Sequence, residues 1–203
     1  MSLSKLVNSV QIISALALAA CQGKPDKILL DYKFSQQEVN AIAEAQREWV
    51  EAADSDEMDI PFSLGFNSDE KPYGFLNPKR GSEAIFWKID STNPGYFQLK
   101  DGMNGNPVGK TVEFTRIVFI EDKIRELVDK GVYADYRDAF YKTALHEYGH
   151  FLALDHLDSP NSVMAGLIYA GVETCIDQET LEYYCSINDC GSNKHATCKG
   201  NKK

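Results

Sequence analysis

The 203-residue chain is acidic, with 30 Asp and Glu against 21 Lys and Arg and a formal net charge of -9. That balance excludes a nucleic-acid binder, which presents a basic face to phosphate. Only the stretch holding Lys194, Lys199, Lys202 and Lys203 runs the other way, and a terminal charge run is usually just solvated. With 43% apolar and 25% charged residues, the composition is that of a globular protein of one domain with a small appendage.

Met1 to Ala20 carries one basic residue, Lys5, then an apolar run through Ile12, Ile13, Leu16 and Leu18, then small residues. It is short and ends abruptly, as a secretory signal does and a membrane span does not. Its end, Leu18-Ala19-Ala20-Cys21, resembles the lipobox of bacterial lipoproteins, whose cysteine is acylated and becomes the mature N-terminus. The resemblance implies a signal peptide over residues 1–20, a lipid on Cys21 and an exported protein anchored to a bacterial membrane. In a Gram-negative cell Gln22, rather than Asp, after the cysteine directs it to the outer membrane. Cleavage at Ala17-Leu18-Ala19 would instead leave an exported protein without an anchor. Residues 21–34 read as a tether.

Ser35 is placed to cap a helix, with Glu38 three residues on, and Val39, Ile42, Ala43, Ala45, Trp49 and Val50 recur at helical spacing until about Asp54. IPFSLGF (60–66) alternates like a strand, residues 67–82 read as loop, and AIFWKI (84–89), GYFQLK (95–100) and TVEFTRIVFI (111–120) read as three more strands. DGMNGNPVG between the last two is turn chemistry, without the ligand pattern of a calcium loop. From Glu121 the periodicity becomes helical: a short helix ended by Gly131, then a longer one through Tyr141, Leu145, Tyr148 and Leu152. The order predicts an α+β domain over 35–171. A cysteine-rich segment follows over 172–203, where Cys175, Cys185, Cys190 and Cys198 suggest two disulfides with the pairing open. No C-x-x-C pair favours a four-cysteine zinc site instead.

Three of the four histidines fall in TALHEYGHFLALDHLDSPNSVMAG, residues 143–166. His146 and His150 are four apart, so a helix stacks them on one face and both imidazoles can reach one ion. Glu147 lies beside that face, where a carboxylate can reach a metal-held water without ligating. On an unbroken helix His156 would point about 240° away from His150. It joins them only if the helix ends between them and the chain turns back.

These residues resemble the metzincin pattern H-E-x-x-H-x-x-G-x-x-H, in which the glycine makes that turn. Ala153 stands where the glycine would, so the turn carries a Cβ strain of about 1–2 kcal/mol or is spread over Leu154 and Asp155. Met164, eight residues past His156 in SPNSVMAG, resembles the Met-turn of that clan, and the wording is most similar to the matrixin branch. The resemblance implies a mostly parallel twisted sheet with an edge strand, two main helices and one catalytic Zn²⁺ on His146, His150 and His156. It further implies Glu147 as general base, Met164 as an apolar floor and an extended protein or peptide substrate along an edge strand, for which part of 111–120 is the candidate. A structural Ca²⁺ is compatible with it but has no support in the residues. Gly166 replaces the extra tyrosine ligand of the astacin and serralysin branches, and the stretch from Cys21 to Ser35 has no room for a matrixin propeptide. The expected activity is zinc-dependent endopeptidase hydrolysis. Two rivals stand beside it: a non-catalytic zinc-containing surface lipoprotein that binds peptides, and a secreted module whose disulfide-rich tail does the binding.

Overall fold

The computed structural model describes residues 25–66, 83–96, 108–112, 115–166 and 175–198. The signal segment and Cys21, the loop 67–82 and Tyr169 lie outside these. The expected tether is the first correction. Lys27–Asp31 is a strand, β1, with Ile28 and Leu30 turned into the main core and Leu29 packed on the opposite side. Apolar groups on both faces suit a strand covered on both sides, and β1 is paired on both edges, with β2 (Phe62–Phe66) and β3 (Glu83–Ile89), in parallel.

The sheet order is β2-β1-β3-β5-β4. The second correction concerns 111–120, expected as one strand. It is split into β4 (Gly109–Val112) and β5 (Arg116–Ile120), an antiparallel pair with Thr111 opposite Ile117. β5 is interior, parallel to β3, and β4 takes the edge among the described strands. The strand expected at 95–100 begins instead as a helical turn over residues 94–96, the rest lying outside the described residues. The result is an α+β architecture with a five-stranded, mostly parallel sheet.

Helix α1 (Gln36–Ala53) starts at Ser35 with both bonds of a capping box to Glu38. Its buried face is rich in alanine (Ala41, Ala45, Ala52, Ala53), which lets it lie close to its neighbours, and Trp49 fills the space left. Helices α2 (Glu121–Asp129) and α3 (Tyr136–Phe151) follow the sheet. α1 and α3 pack on the same side, enclosing Ile28, Leu30, Phe86, Ile117 and Phe119, while Ile85, Trp87, Val118 and Ile120 face the other way. Trp49 Nε1 donates to the Leu145 carbonyl at 3.0 Å and pins the two helices together. Lys88, its side chain 10% exposed, reaches out of β3 to Glu38 at 2.9 Å and Glu121 at 3.0 Å, and Tyr136 Oη donates to Glu38 at 2.6 Å. A buried charge needs such partners, and these bind the starts of α1, α2 and α3 into one cluster.

The cysteine-rich segment is packed into the domain, not hung from it. Helix α4 (Gln178–Ile187) puts Leu181 and Tyr184 in the main core beside Ile176. The pairs are Cys175–Cys198 and Cys185–Cys190, one of the three arrangements the sequence leaves open. Gly191 N and His195 N donate to the carbonyls of Ala53 and Ala52 at 2.9 Å each, satisfying acceptors that α1 leaves without helical partners.

Candidate metal centre

Asp135 caps α3, its side chain accepting from Asp138 N at 2.9 Å. One face of the helix carries Phe140 and Leu145 into the core, and this fixes the rotation at which His146 and His150 emerge. Their rings lie 4.7 Å apart between centroids. The helix ends where the sequence requires it to end. Ala153 has φ of 70°, Ala153 N donates to the His150 carbonyl and Leu154 N to the Gly149 carbonyl, each at 3.0 Å. These two bonds are those of a Schellman helix end, here with alanine in the place usually held by glycine.

The reversed chain returns His156, whose ring centroid is 4.6 Å from that of His150 and 5.3 Å from that of His146. One nitrogen from each ring lies within 4.8 Å of the others, a group that could hold a metal ion. The donor set fits such an ion. His146 Nδ1 meets the Val163 carbonyl and His150 Nδ1 the Leu154 carbonyl, each at 2.7 Å. A carbonyl only accepts, so both protons sit on Nδ1 and each Nε2 carries a lone pair, the usual outer support of a ligating histidine. His150 Nε2 faces His156 Nε2 at 3.0 Å. Burial, with the His150 charge adding to it, pushes His146 down to about 3. Burial likewise lowers His150. Both are therefore neutral near pH 7, the form that binds metal.

Three supporting positions were not legible from the motif. Gly149, between His146 and His150, lies against Met164, which is fully buried; a Cβ there would come within 2.3 Å of Met164 Sδ and 3.0 Å of Trp49 Cζ2. A glycine inside a helix costs about 0.5–1 kcal/mol relative to alanine, and that cost was the available signal. Asp177, the N-cap of α4, also accepts from Val163 N at 3.1 Å, so the residue that orients His146 is itself held by the disulfide-clamped segment. Thr111 on β4 is the third. Its Oγ1 lies 2.9 Å from Glu147 Oε2 and 2.9 Å from the Glu147 carbonyl.

Glu147 is buried, and this burial outweighs the Thr111 hydrogen bonds that oppose it, pushing the carboxyl up to about 7. A carboxyl in that range can take up and release a proton near neutrality. Met164 lies in a tight turn: Met164 N donates to Ser162 Oγ at 2.9 Å and Leu157 N to the Met164 carbonyl at 2.9 Å, tying the turn to the strand-like run after His156. Compared with known proteins, the chain matches no family model and no curated protein.

Proposed function

We propose that this chain is a zinc-dependent endopeptidase of the metzincin type, matrixin-like, exported and held at a membrane by a lipid on Cys21. The observation that carries the reading is the convergence of three histidine nitrogens within 4.8 Å across a turn that forces Ala153 to a φ of 70°. A left-handed alanine is a cost that a fold keeps where something else requires the turn, and bringing His156 to the other two is what this turn does.

His146, His150 and His156 would hold the ion, which when bound supplies Lewis acidity toward a water and toward the scissile carbonyl. Glu147 adjoins the first ligand and is not needed to hold the metal. Its role is to take a proton from the attacking water and deliver it to the leaving amine, which its raised pKa favours in both directions. The strand that supports a substrate is β4, at the edge of the described sheet and packed on α3, to which an extended peptide can add by main-chain pairing. Thr111 and Val112 of the expected substrate strand belong to it, whereas Arg116–Ile120 are interior. A Cβ on Gly166 would fall 3.2 Å from His156 Nδ1, at the position where other branches carry an extra ligand.

Glu147→Ala tests the reading. The variant keeps about one zinc per chain and its fold but loses about 10²–10⁴-fold in turnover of casein or a mixed peptide library, and wild-type cleavage stops with a chelator and returns with zinc. Wild type that carries full zinc and cuts nothing would leave a non-catalytic binder as the better account. The anchor has its own test: wild type made in a host with the lipoprotein pathway sediments with membranes, Cys21→Ser does not, and a wholly soluble wild type would refute it.

A further inference from the structure

The edge strand does more than lie beside the histidine site. Residues at alternate positions of a strand share a face, and in β4 both Gly109 and Thr111 present that face to the same side chain, Glu147. Thr111 Oγ1 is 2.9 Å from Glu147 Oε2. A Cβ on Gly109 would fall 2.8 Å from Glu147 Cγ and 2.8 Å from Oε1, so the strand backbone closes over the carboxyl where the hydroxyl does not. Thr111 also reaches the backbone carbonyl of Glu147 at 2.9 Å, so both ends of the glutamate are measured from one strand atom. The Thr111 backbone also bonds the carboxyl, and among the described residues no side chain other than Thr111 does.

We infer that Thr111 is a positioning residue: through its hydroxyl, with Gly109 shaping the space beside it, β4 sets the direction in which the Glu147 carboxylate points. The inference rests on the reading of Glu147 as the general base. It adds that the strand which pairs with substrate also aims the group that acts on it. A glutamate has three rotatable bonds, and a base held within hydrogen-bond reach of its proton outperforms one that samples other rotamers. Burial alone does not choose among those rotamers. The hydroxyl, 2.9 Å from Oε2, adds a directional bond beside the one from the Thr111 backbone, and so favours the placement that meets the strand.

Three variants test this: Thr111→Val, which keeps the branched shape and removes the hydroxyl, Thr111→Ser, which keeps the hydroxyl, and Gly109→Ala, which fills the space. In zinc-loaded enzyme Thr111→Val lowers kcat about 10- to 100-fold, the size usual for removal of such a supporting bond, with KM, zinc stoichiometry and melting temperature close to wild type. Thr111→Ser restores most of the lost turnover. A separate readout needs no activity: in crystal structures of the metal-free proteins, the Glu147 carboxylate keeps its place in wild type and Thr111→Ser, and takes another rotamer in Thr111→Val and Gly109→Ala. A Thr111→Val enzyme with wild-type kcat, a serine variant as slow as the valine one, or an unmoved carboxylate in metal-free Thr111→Val would each overturn the inference. If zinc-loaded wild type cleaves nothing, the peptidase reading fails, and the metal-free structures still decide whether Thr111 aims Glu147.

Discussion

Gly149→Ala should destabilise the protein, against the ordinary expectation for a helix. In an exposed helix interior the change gains about 0.5–1 kcal/mol by removing backbone freedom from the unfolded chain. Here the new Cβ would sit 2.3 Å from Met164 Sδ and 3.0 Å from Trp49 Cζ2, where unstrained carbon contacts need about 3.5–4.0 Å. Trp49 cannot retreat without releasing its bond to the Leu145 carbonyl, so Met164 must shift by more than an ångström inside a closed core. Overpacking of this kind costs about 1–3 kcal/mol, which less that gain leaves a net loss of up to about 2.5 kcal/mol and, in a domain of this size, up to about 10 °C in melting temperature. Moving Met164 also moves Val163, whose carbonyl orients His146, so metal affinity measured against a competing chelator should fall about 10-fold or more. The partner variant Met164→Ala, combined with Gly149→Ala, separates clash from other effects: the two substitutions should couple by about 1 kcal/mol or more in a denaturant double-mutant cycle. A single variant that melts at or above wild type, or a pair that adds without coupling, would refute the reasoning.

Ala153→Gly should raise the melting temperature slightly, because release of about 1–2 kcal/mol of left-handed strain exceeds the added chain entropy of about 0.5–1 kcal/mol; a clear drop would mean that residue 153 is helical in solution. Removing Cys175–Cys198, which closes 23 residues, should cost about 3 kcal/mol and removing Cys185–Cys190, which closes 5, about 2 kcal/mol, each read as a lower urea midpoint. The reverse order would show that the longer loop is already restrained in the unfolded chain. The pH profile of the metal-free protein should carry the signature of Glu147. Its folded pKa, about 7, lies above the ordinary 4.5, so the folded state holds the proton more tightly and this group's contribution to stability falls as pH rises from 4.5 through 7. His146, lowered to about 3 from 6.5, contributes in the opposite sense, losing stability as pH falls below 6.5. The difference between Glu147→Gln and wild type isolates the first. The variant should melt higher than wild type at pH 8, with the gap vanishing below pH 4.5, and a gap independent of pH would contradict the buried-carboxyl account.

What the residues disclosed about this fold depended on how local the determining physics was. The spacing of His146, His150 and His156 demands a broken helix, and the break at Ala153 is a matter of six residues and their backbone. The capping box at Ser35 and Glu38 is equally short-range. β1 escaped notice because KILLD is short and flanked by charge, and its status as a central strand depends on β2 and β3, more than thirty residues downstream. The split of 111–120 into β4 and β5 was hidden because TVEFTRIVFI contains no Gly, Pro, Asn or Asp to mark a break. Thr111, Gly149 and Asp177 share a reason for going unseen. Each matters here through contacts with residues distant in sequence, and periodicity carries no information about such contacts.

The closing of α1 by Gly191 and His195 has a consequence in time. Asn193 N bonds Asp54 Oδ2 across 139 positions, and Ile176 N reaches Glu48 across 128. A chain made at about 5–20 residues per second therefore exposes its first helix for many seconds before the groups that complete its end exist. Contacts so far apart in sequence also make for slow folding. The same late segment supplies Asp177, which holds Val163 beside His146. The three-histidine site is thus among the last parts of the domain to be completed, and a partly synthesised chain has His146, His150 and His156 without the Asp177 carboxylate that holds Val163 in place.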